Sequence, residues 1–323
     1  MPVKGTITSG DLRQLEIEST NAFLTGLQSM TAPMFERLST TISMNTKTVE
    51  APILSQIGAL REWVGPRLVE RFARDAYSIT AKEFEKTIGI PRTAIEDDNV
   101  GLWMPQIGTL GQQAAAWPDQ QVFAKLGKGF ADLCVDGKPF FSTQHPDGKG
   151  GTYSNTDSAN GTAGTAPTWY LFDLSKMLKP LIWALRKAPE FTAFWDLKDP
   201  NVFWHKEYIS GVYARGVADY GFPMHAYAVR GGLTATTFEN AVKAMQKLTN
   251  AVGENMNVSP TLAVIPSDLK PDADRLWGAE LTIMQGSGAA NVAVGTVTNT
   301  KFKAIEYVVA QRLSNSNDAT LAV

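Results

Sequence analysis

The sequence predicts an α+β fold, and three observations carry that expectation. A stretch at about 105–133 spaces its apolar residues three and four apart, as a long helix does. Segments at 84–90 and 202–228 alternate apolar and polar positions, as half-buried strands do. Between about 230 and 295 the order helix, strand, helix describes a compact α/β unit.

Composition bounds what such a chain can do. Its 323 residues are 44% hydrophobic and 10% aromatic, enough for a sizeable core and about two domains, or one with large excursions. The net charge of −2 lacks the basic footprint of a nucleic-acid binder, although nucleic acid could be enclosed without being gripped. Cys134 is the only cysteine, so neither a disulfide framework nor a cysteine-cage zinc site is expected. His145, His205 and His225 are the only histidines, and no clustered metal ligands or cofactor are expected from them. No apolar run approaches the roughly 20 residues that span a bilayer, and Met1–Gly5 lacks a signal core. A soluble protein made in a reducing cytoplasm is the expectation.

Along the chain, Thr8 or Ser9 is placed to cap a helix with Asp11 in its first turn. Leu12, Leu15, Ala22, Phe23 and Leu27 carry that helix to about Leu27. Thr31–Glu50, rich in Ser, Thr and Met, reads as an extended arm. Next comes the stretch around which the chain is organised, Leu60–Phe130. Its first part, Arg61–Lys86, holds eleven charged residues in twenty-six, against 19% overall, with large apolar side chains threaded between them. So charged a segment cannot lie wholly in a core, and so apolar a one is not simply disordered. An arm that leaves its own domain and buries its apolar side chains on another subunit resolves the conflict. An ordinary surface hairpin is the alternative, but an isolated two-stranded hairpin is marginal in water. Arg61, Trp63, Arg67, Arg71, Phe72, Tyr77 and Phe84, with Asp97 and Asp98 beyond them, are the expected inter-subunit contacts. Within this excursion Phe84–Ile90 is a strand ended by Pro91, Arg67–Ala73 its partner, and Asp75–Thr80 the connection.

Glu96, Asp97 and Asp98 match neither the calcium-loop spacing nor a catalytic pattern, and a solvated turn or a partner for arginines is favoured over a metal site. In the helical stretch, Ile107, Leu110, Ala114 and Trp117 form one stripe and Phe123, Leu126, Phe130 and Leu133 a second. The step between them is six, which predicts a kink or break at Pro118, with Pro118-Asp119 as a fresh helix start. Asp136-Gly137 marks a turn. From His145 to Thr168 a Gly-, Ser- and Asn-rich loop follows, expected to be exposed. Its Gly-Lys pair fits neither the phosphate-loop nor the dinucleotide glycine spacing. His145 with Asp147 is at most half of a metal or acid–base site. Trp169–Lys179 reads as a strand-to-helix passage, and Pro180–Ala184 and Phe191–Trp195 as strands around a loop at 186–190. Thr234 caps a helix with Phe238, Val242, Met245 and Leu248 on its core face. Thr261–Ile265 is a strand, Ser267 or Asp268 caps a helix to about Trp277, and Phe302–Val309 is the last strand. No nucleophile elbow, triad or phosphate cradle assembles, so an enzyme is not expected.

Six segments taken together resemble one family. Leu60-Arg-Glu-Trp-Val-Gly65, Ala94-Ile-Glu-Asp-Asp-Asn-Val-Gly101, Ala114-Ala-Ala-Trp-Pro-Asp119, Phe140-Phe-Ser-Thr-Gln-His-Pro146, Arg186-Lys-Ala-Pro-Glu-Phe191 and Glu207-Tyr-Ile-Ser-Gly-Val-Tyr-Ala-Arg-Gly216 are similar, in chain order, to the major head subunits of phage Mu and Mu-like prophages. The resemblance implies the Hong Kong 97-type capsid fold. It implies an N-terminal arm at 1–58, an extended β-hairpin loop at 59–93 and a peripheral domain at 94–179 whose spine helix runs about 105–133. A mostly axial domain at 180–295 would follow, then a strand returning to the peripheral domain and a tail at 296–323. The implied function is a self-assembling major capsid protein of the icosahedral head of a tailed phage, made in the bacterial host and resident in the virion. Its hexamers and pentamers would close around double-stranded DNA without sequence-specific binding, together with scaffold or protease, portal and decoration proteins. An encapsulin-like nanocompartment is the runner-up, and a soluble enzyme with an acidic site stands further back.

Overall fold

α1 (Ser9–Gln28) begins where the sequence expects it. The Thr8 hydroxyl accepts the Asp11 N–H and the Asp11 carboxylate accepts the Thr8 N–H, a reciprocal cap. The computed structural model describes residues 8–30, 33–52, 76–97, 100–147, 149–157, 167–250, 253–285 and 293–313.

The next stretch departs from the expected extended arm. It folds as α2 (Met34–Leu38), β1 (Ser39–Ser43) and β2 (Thr48–Pro52). Its polar composition hides this because the partners are far away in sequence. β3 (Ala76–Thr80), expected as a connection, is a strand, and it pairs antiparallel with β2 from Thr48 opposite Thr80 to Pro52 opposite Ala76. β4 (Lys82–Pro91) is the expected alternating strand and ends at Pro91. The proposed partner at 67–73 lies outside the described residues.

α3 (Arg92–Glu96) leads into α4 (Val100–Gly127), one helix that contains both Pro105 and Pro118. Of the expected kink or break at Pro118, the break does not occur, and the helix ends six residues short of Leu133. The six-residue slip between apolar stripes has another cause. Ile107, Leu110 and Ala114 face a cluster with Leu12 and Phe23 of α1. Trp117, Val122, Phe123 and Leu126 face a different cluster. The helix turns its apolar side from one core to another, so the stripe changes phase while the backbone continues. Trp117 packs edge-on against Trp183 at 4.9 Å and beside Phe84 at 5.0 Å. This packing on both sides of Pro118 outweighs the ~3 kcal/mol that an interior proline costs a helix.

β5 (His145–Pro146), β6 (Thr152–Tyr153) and β7 (Thr156–Asp157) give the Gly-rich loop short paired segments. β8 (Thr168–Phe172) follows, with no helix after it. β9 (Leu181–Phe194) is one strand of 14 residues, where the sequence suggested two strands around a loop. α5 (Pro200–His205), capped by Asp199, is an element the sequence reading missed. β10 (Glu207–Tyr220) and β11 (Ala226–Arg230) follow. α6 (Ala235–Gln246) carries the expected Thr234 cap and core face. β12 (Leu262–Ile265) is wholly buried. The helical run to Trp277 is divided into a 3-10 turn, α7 (Lys270–Ala273) and a π-helical turn at Asp274–Gly278, with no side-chain cap. β13 (Leu281–Gln285) and β14 (Ala293–Thr298) form a separate antiparallel pair. β15 (Glu306–Val309) closes the described fold, apart from a 3-10 turn at Gln311–Leu313.

Two sheets organise these elements. One has the order β1-β9-β10-β4, the other β15-β12-β8-β11-β7. In the second, side chains alternate between two cores. Tyr170, Phe172, Ala226, Ala228, Leu262 and Val264 face the core shared with α4 and the first sheet. Trp169, Leu171, Tyr227, Val229, Ala263 and Ile265 face the core under α6 and Trp277. Cover on both faces explains why its central strands β12, β8 and β11 are almost wholly apolar. β15 pairs with β12, so the last strand joins this second sheet. β9 and β10 lie in the first sheet, and both pack beside α4.

Candidate assembly surfaces

A polar network and a small apolar core hold the β2–β3 ladder to the body. The Tyr77 hydroxyl donates to Asp219 Oδ1 at 2.6 Å. Lys125 of α4 reaches the same Asp219 oxygen at 3.3 Å and Asp132 at 3.2 Å, and lies 4.3 Å from the centre of the Tyr220 ring. Burial, and then the bond to Asp219, push the Tyr77 phenol far above its ordinary range, so it remains a donor at any physiological pH. Below this network Met44, Ile79, Ala81 and Ala184 form a small core of their own.

Of the expected contact residues, Tyr77, Phe84 and Asp97 are described. Tyr77 and Phe84 are partly buried and have partners within the chain, Asp219 and Trp117 respectively. Asp97 is exposed at the end of α3, while its neighbour Glu96 is held by Arg92 at 2.7 Å. Arg61, Trp63, Arg67, Arg71, Phe72 and Asp98 lie outside the described residues. His145 is buried and bonded to Asp136, where the sequence suggested Asp147. Asp147 instead accepts the Lys149 and Gly151 N–H groups within its loop.

Apolar surface is displayed elsewhere. On α5, Phe203 and Trp204 are 73% and 74% exposed and pack edge-to-face at 5.0 Å. Only Val202 of this one-turn helix is buried, so the adjacent aromatics are left facing outward. The Asp199-Pro200 pair, a cap followed by proline at the first helical position, is the sequence signal that marks the helix. Leu102 is exposed beside a groove of about 550 Å³ lined by Ile88, Ile90, Ala94 and Trp103. Leu281 and Val297 are exposed on the β13–β14 pair. Of these, the adjacent Phe203 and Trp204 form the candidate contact patch, since single exposed apolar side chains are ordinary.

A long helix lying on a four-stranded sheet, a second sheet layered under α6, and a two-stranded ladder held against the body together make a tailed-phage capsid subunit of the Hong Kong 97 type. The chain is similar to that of a procapsid of bacteriophage JBD30, with 32% identity and a TM-score of 0.79 over 95% of this chain and 100% of that one. It shares the fold of the bacteriophage JBD30 capsid, at 24% identity and a TM-score of 0.74 over 88% of this chain and 93% of that one. In sequence it is 31% identical over 280 residues to the major capsid protein of Escherichia phage Mu, covering 85% of this chain and 92% of that protein. It is 35% identical over 264 residues to the Mu-like prophage FluMu major head subunit of Haemophilus influenzae, covering 80% and 85%. The profile of the Mu-like prophage major head subunit gpT matches residues 12–306, and the chain belongs to that family. It is a major capsid protein of a tailed phage, a structural component of the virion and not an enzyme.

Proposed function

We propose that residues 53–75, between the paired ends of β2 and β3, form the loop by which one subunit of the shell reaches its neighbour. The observation that carries this reading is the register of the ladder. Pro52 stands opposite Ala76, so the segment leaves and re-enters the body at one place. About half of it extended in each direction would reach roughly 35 Å. Arg61, Trp63, Arg67, Arg71 and Phe72 lie in this segment and are its proposed contacts. Trp63 and Phe72 would each contribute roughly 1.5–3 kcal/mol if fully covered, and the arginines would set register and partner choice. Tyr77 and Phe84 would hold the base of the loop to its own body. Asp97 and Asp98, at the approach to α4, remain proposed contacts.

On this reading α1 belongs to the N-terminal arm, α4 and the first sheet form the peripheral domain, and the second sheet with α6 forms the axial domain. Copies would close as hexamers and pentamers around double-stranded DNA. The near-neutral charge suits a container that holds DNA without gripping it. Scaffold or protease, portal and decoration proteins are the further partners proposed. A structure of the bacteriophage JBD30 capsid carries minor capsid protein trimers.

The test is reversal of Arg67 and Arg71 to Glu together, read by negative-stain microscopy and light scattering. A folded chain that no longer forms shells is the expected outcome. Normal shells from that double variant would remove the assignment of this loop.

A further inference from the structure

Where the chain leaves α4, three side chains of different chemistry converge. The turn at Cys134–Lys138 is closed by Cys134 N–H to the Lys138 carbonyl at 2.8 Å and Gly137 N–H to the Cys134 carbonyl at 3.0 Å. Gly137 has φ +72°, a conformation that favours glycine. This turn sets the Cys134 thiol beside the Asp136 carboxylate, with Sγ 3.0 Å from Oδ1. The chain then passes through Phe140 and Phe141 and returns with His145, whose Nδ1 lies 2.6 Å from Asp136 Oδ2. One ligand atom from each of the three lies within 4.8 Å of the others. Cys134 and His145 are buried, while the Asp136 side chain is 16% exposed and opens the cluster to solvent.

The surroundings orient the imidazole. His145 Nε2 faces the Phe140 carbonyl and Asn155 Oδ1, each at 3.2 Å. The Asn155 amide is fixed in that orientation. Its Oδ1 accepts the Ser142 N–H at 2.8 Å, and its Nδ2 donates to the carbonyls of Phe140 at 2.7 Å and Pro223 at 3.0 Å. Both groups facing Nε2 are therefore acceptors, and Nε2 carries a ring N–H. Nδ1 faces the Asp136 carboxylate at 2.6 Å, an acceptor as well, so without metal a proton lies between them, and a bound ion would take that proton's place. A metal-ligating histidine is held in this way, its second nitrogen donating to a carbonyl or carboxamide oxygen. The Tyr153 ring stacks on the imidazole at 5.1 Å and fixes its plane.

We propose that Cys134 Sγ, the Asp136 carboxylate and His145 Nδ1 form a three-ligand site for one divalent transition-metal ion of the zinc class, with water completing the tetrahedron. One thiolate, one imidazole and one carboxylate suit zinc or cobalt and do not suit magnesium or calcium, which take oxygen ligands. Thiolate and carboxylate together neutralise the ion. Without metal, burial and the bond to Asp136 push the Cys134 thiol up to about 12, so its S–H donates to the carboxylate. Binding releases that proton, and any proton on Nδ1, to solvent, so affinity rises with pH. The ion would clip the segment after α4 to β5 and thereby to the loop that leads into the second sheet. No local pattern announces this site, because the spacing 134, 136, 145 matches no zinc pattern and a lone cysteine does not suggest one.

The experiment uses the full chain without a tag, stripped with a chelator and titrated with Co²⁺. One Co²⁺ per chain with a thiolate-to-cobalt absorption in the near ultraviolet is expected. Zn²⁺ should displace it and raise the melting temperature, and Mg²⁺ should do neither. Cys134→Ser should lose the thiolate absorption and His145→Gln the stoichiometric binding. If either variant fails to fold, the wild-type titration decides alone. A wild-type chain with no thiolate absorption and the same melting temperature with and without Zn²⁺ would overturn the site and leave a hydrogen-bonded cluster only. An equal shift with Mg²⁺ would overturn the donor set.

Discussion

Asp119 shows how a correct chemical signal can be attached to the wrong partner. A short acid after a proline reads as a helix start, and this carboxylate does cap a helix. It accepts the N–H groups of Phe35 at 2.7 Å and Met34 at 3.4 Å, more than eighty residues away in sequence. The helix it caps is α2, not its own. Asp119→Ala should therefore destabilise the chain by roughly 1–3 kcal/mol, the cost of removing a charged acceptor from buried donors. Denaturant midpoints would measure this, and an unchanged midpoint would deny the cap. Gly111 makes a second case. A Cβ there would sit 2.2 Å from the Phe23 carbonyl oxygen of α1, while a Cβ at Gly101 would meet nothing within 4 Å. Gly111→Ala should separate α1 from α4 and lower the melting temperature. Gly101→Ala, on an exposed first turn, should be neutral or slightly stabilising. Equal effects at the two positions would contradict the close helix contact. Nothing in the sequence distinguishes these glycines, because the constraint comes from a helix elsewhere in the chain.

Whether an element was visible in the sequence depended on how local its cause is. The caps at Thr8 and Thr234 and the buried strand at 262–265 follow from neighbouring residues and were legible. The single span of β9 was not. Arg186-Lys-Ala-Pro-Glu190 has the composition of a loop, yet the strand continues through it against β10. The register shifts between Tyr213 and Gly216 of β10, and Pro189 has no assigned partner across the ladder. A bulge is where a sheet tolerates a proline. At Pro118, where a kink or break was expected, the break does not occur for a related reason, since two cores meeting one helix produce the same phase slip as two helices. α5 belongs to this scale as well. In a shell each subunit is surrounded by copies of itself, and a second copy is the proposed cover for Phe203 and Trp204. The double change Phe203→Ser with Trp204→Ser should leave the monomer's circular dichroism intact and reduce the yield of shells. Shells in undiminished yield would mean that these rings face solvent in the assembled head.

Across the whole chain, the fold class and family were legible, and the division into sheets was not. β1 at 39–43 lies parallel to the start of β9 at 181–185, a pairing that no local pattern announces. The main core draws residues from α4 and from both sheets, so the two sheets share side chains that a boundary drawn along the sequence would separate. His225 lies at one such joint, between β10 and β11, with Nδ1 3.1 Å from the Leu178 carbonyl. Burial holds its imidazole below the ordinary range. As pH falls through about 6.5 the unfolded chain takes up a proton that the folded chain refuses, so stability is lost from there down to the folded value. The urea midpoint should therefore be lower at about pH 5.5 than at about pH 7.5. His225→Gln should flatten that difference, and an unaltered slope in the variant would remove His225 as its source.

The paired ends of β2 and β3 have a consequence for inheritance. A segment that departs and returns through one ladder can change in length while the body keeps every register described above. Doubling such a loop costs only ~0.6 kcal/mol of closure entropy. On the proposed role of residues 53–75, the reach of the subunit and the stability of its body would be nearly independent traits. Descendants of this chain could lengthen, shorten or exchange the span from 53 to 75 as a cassette while Tyr77, Asp219 and Lys125 stay as they are.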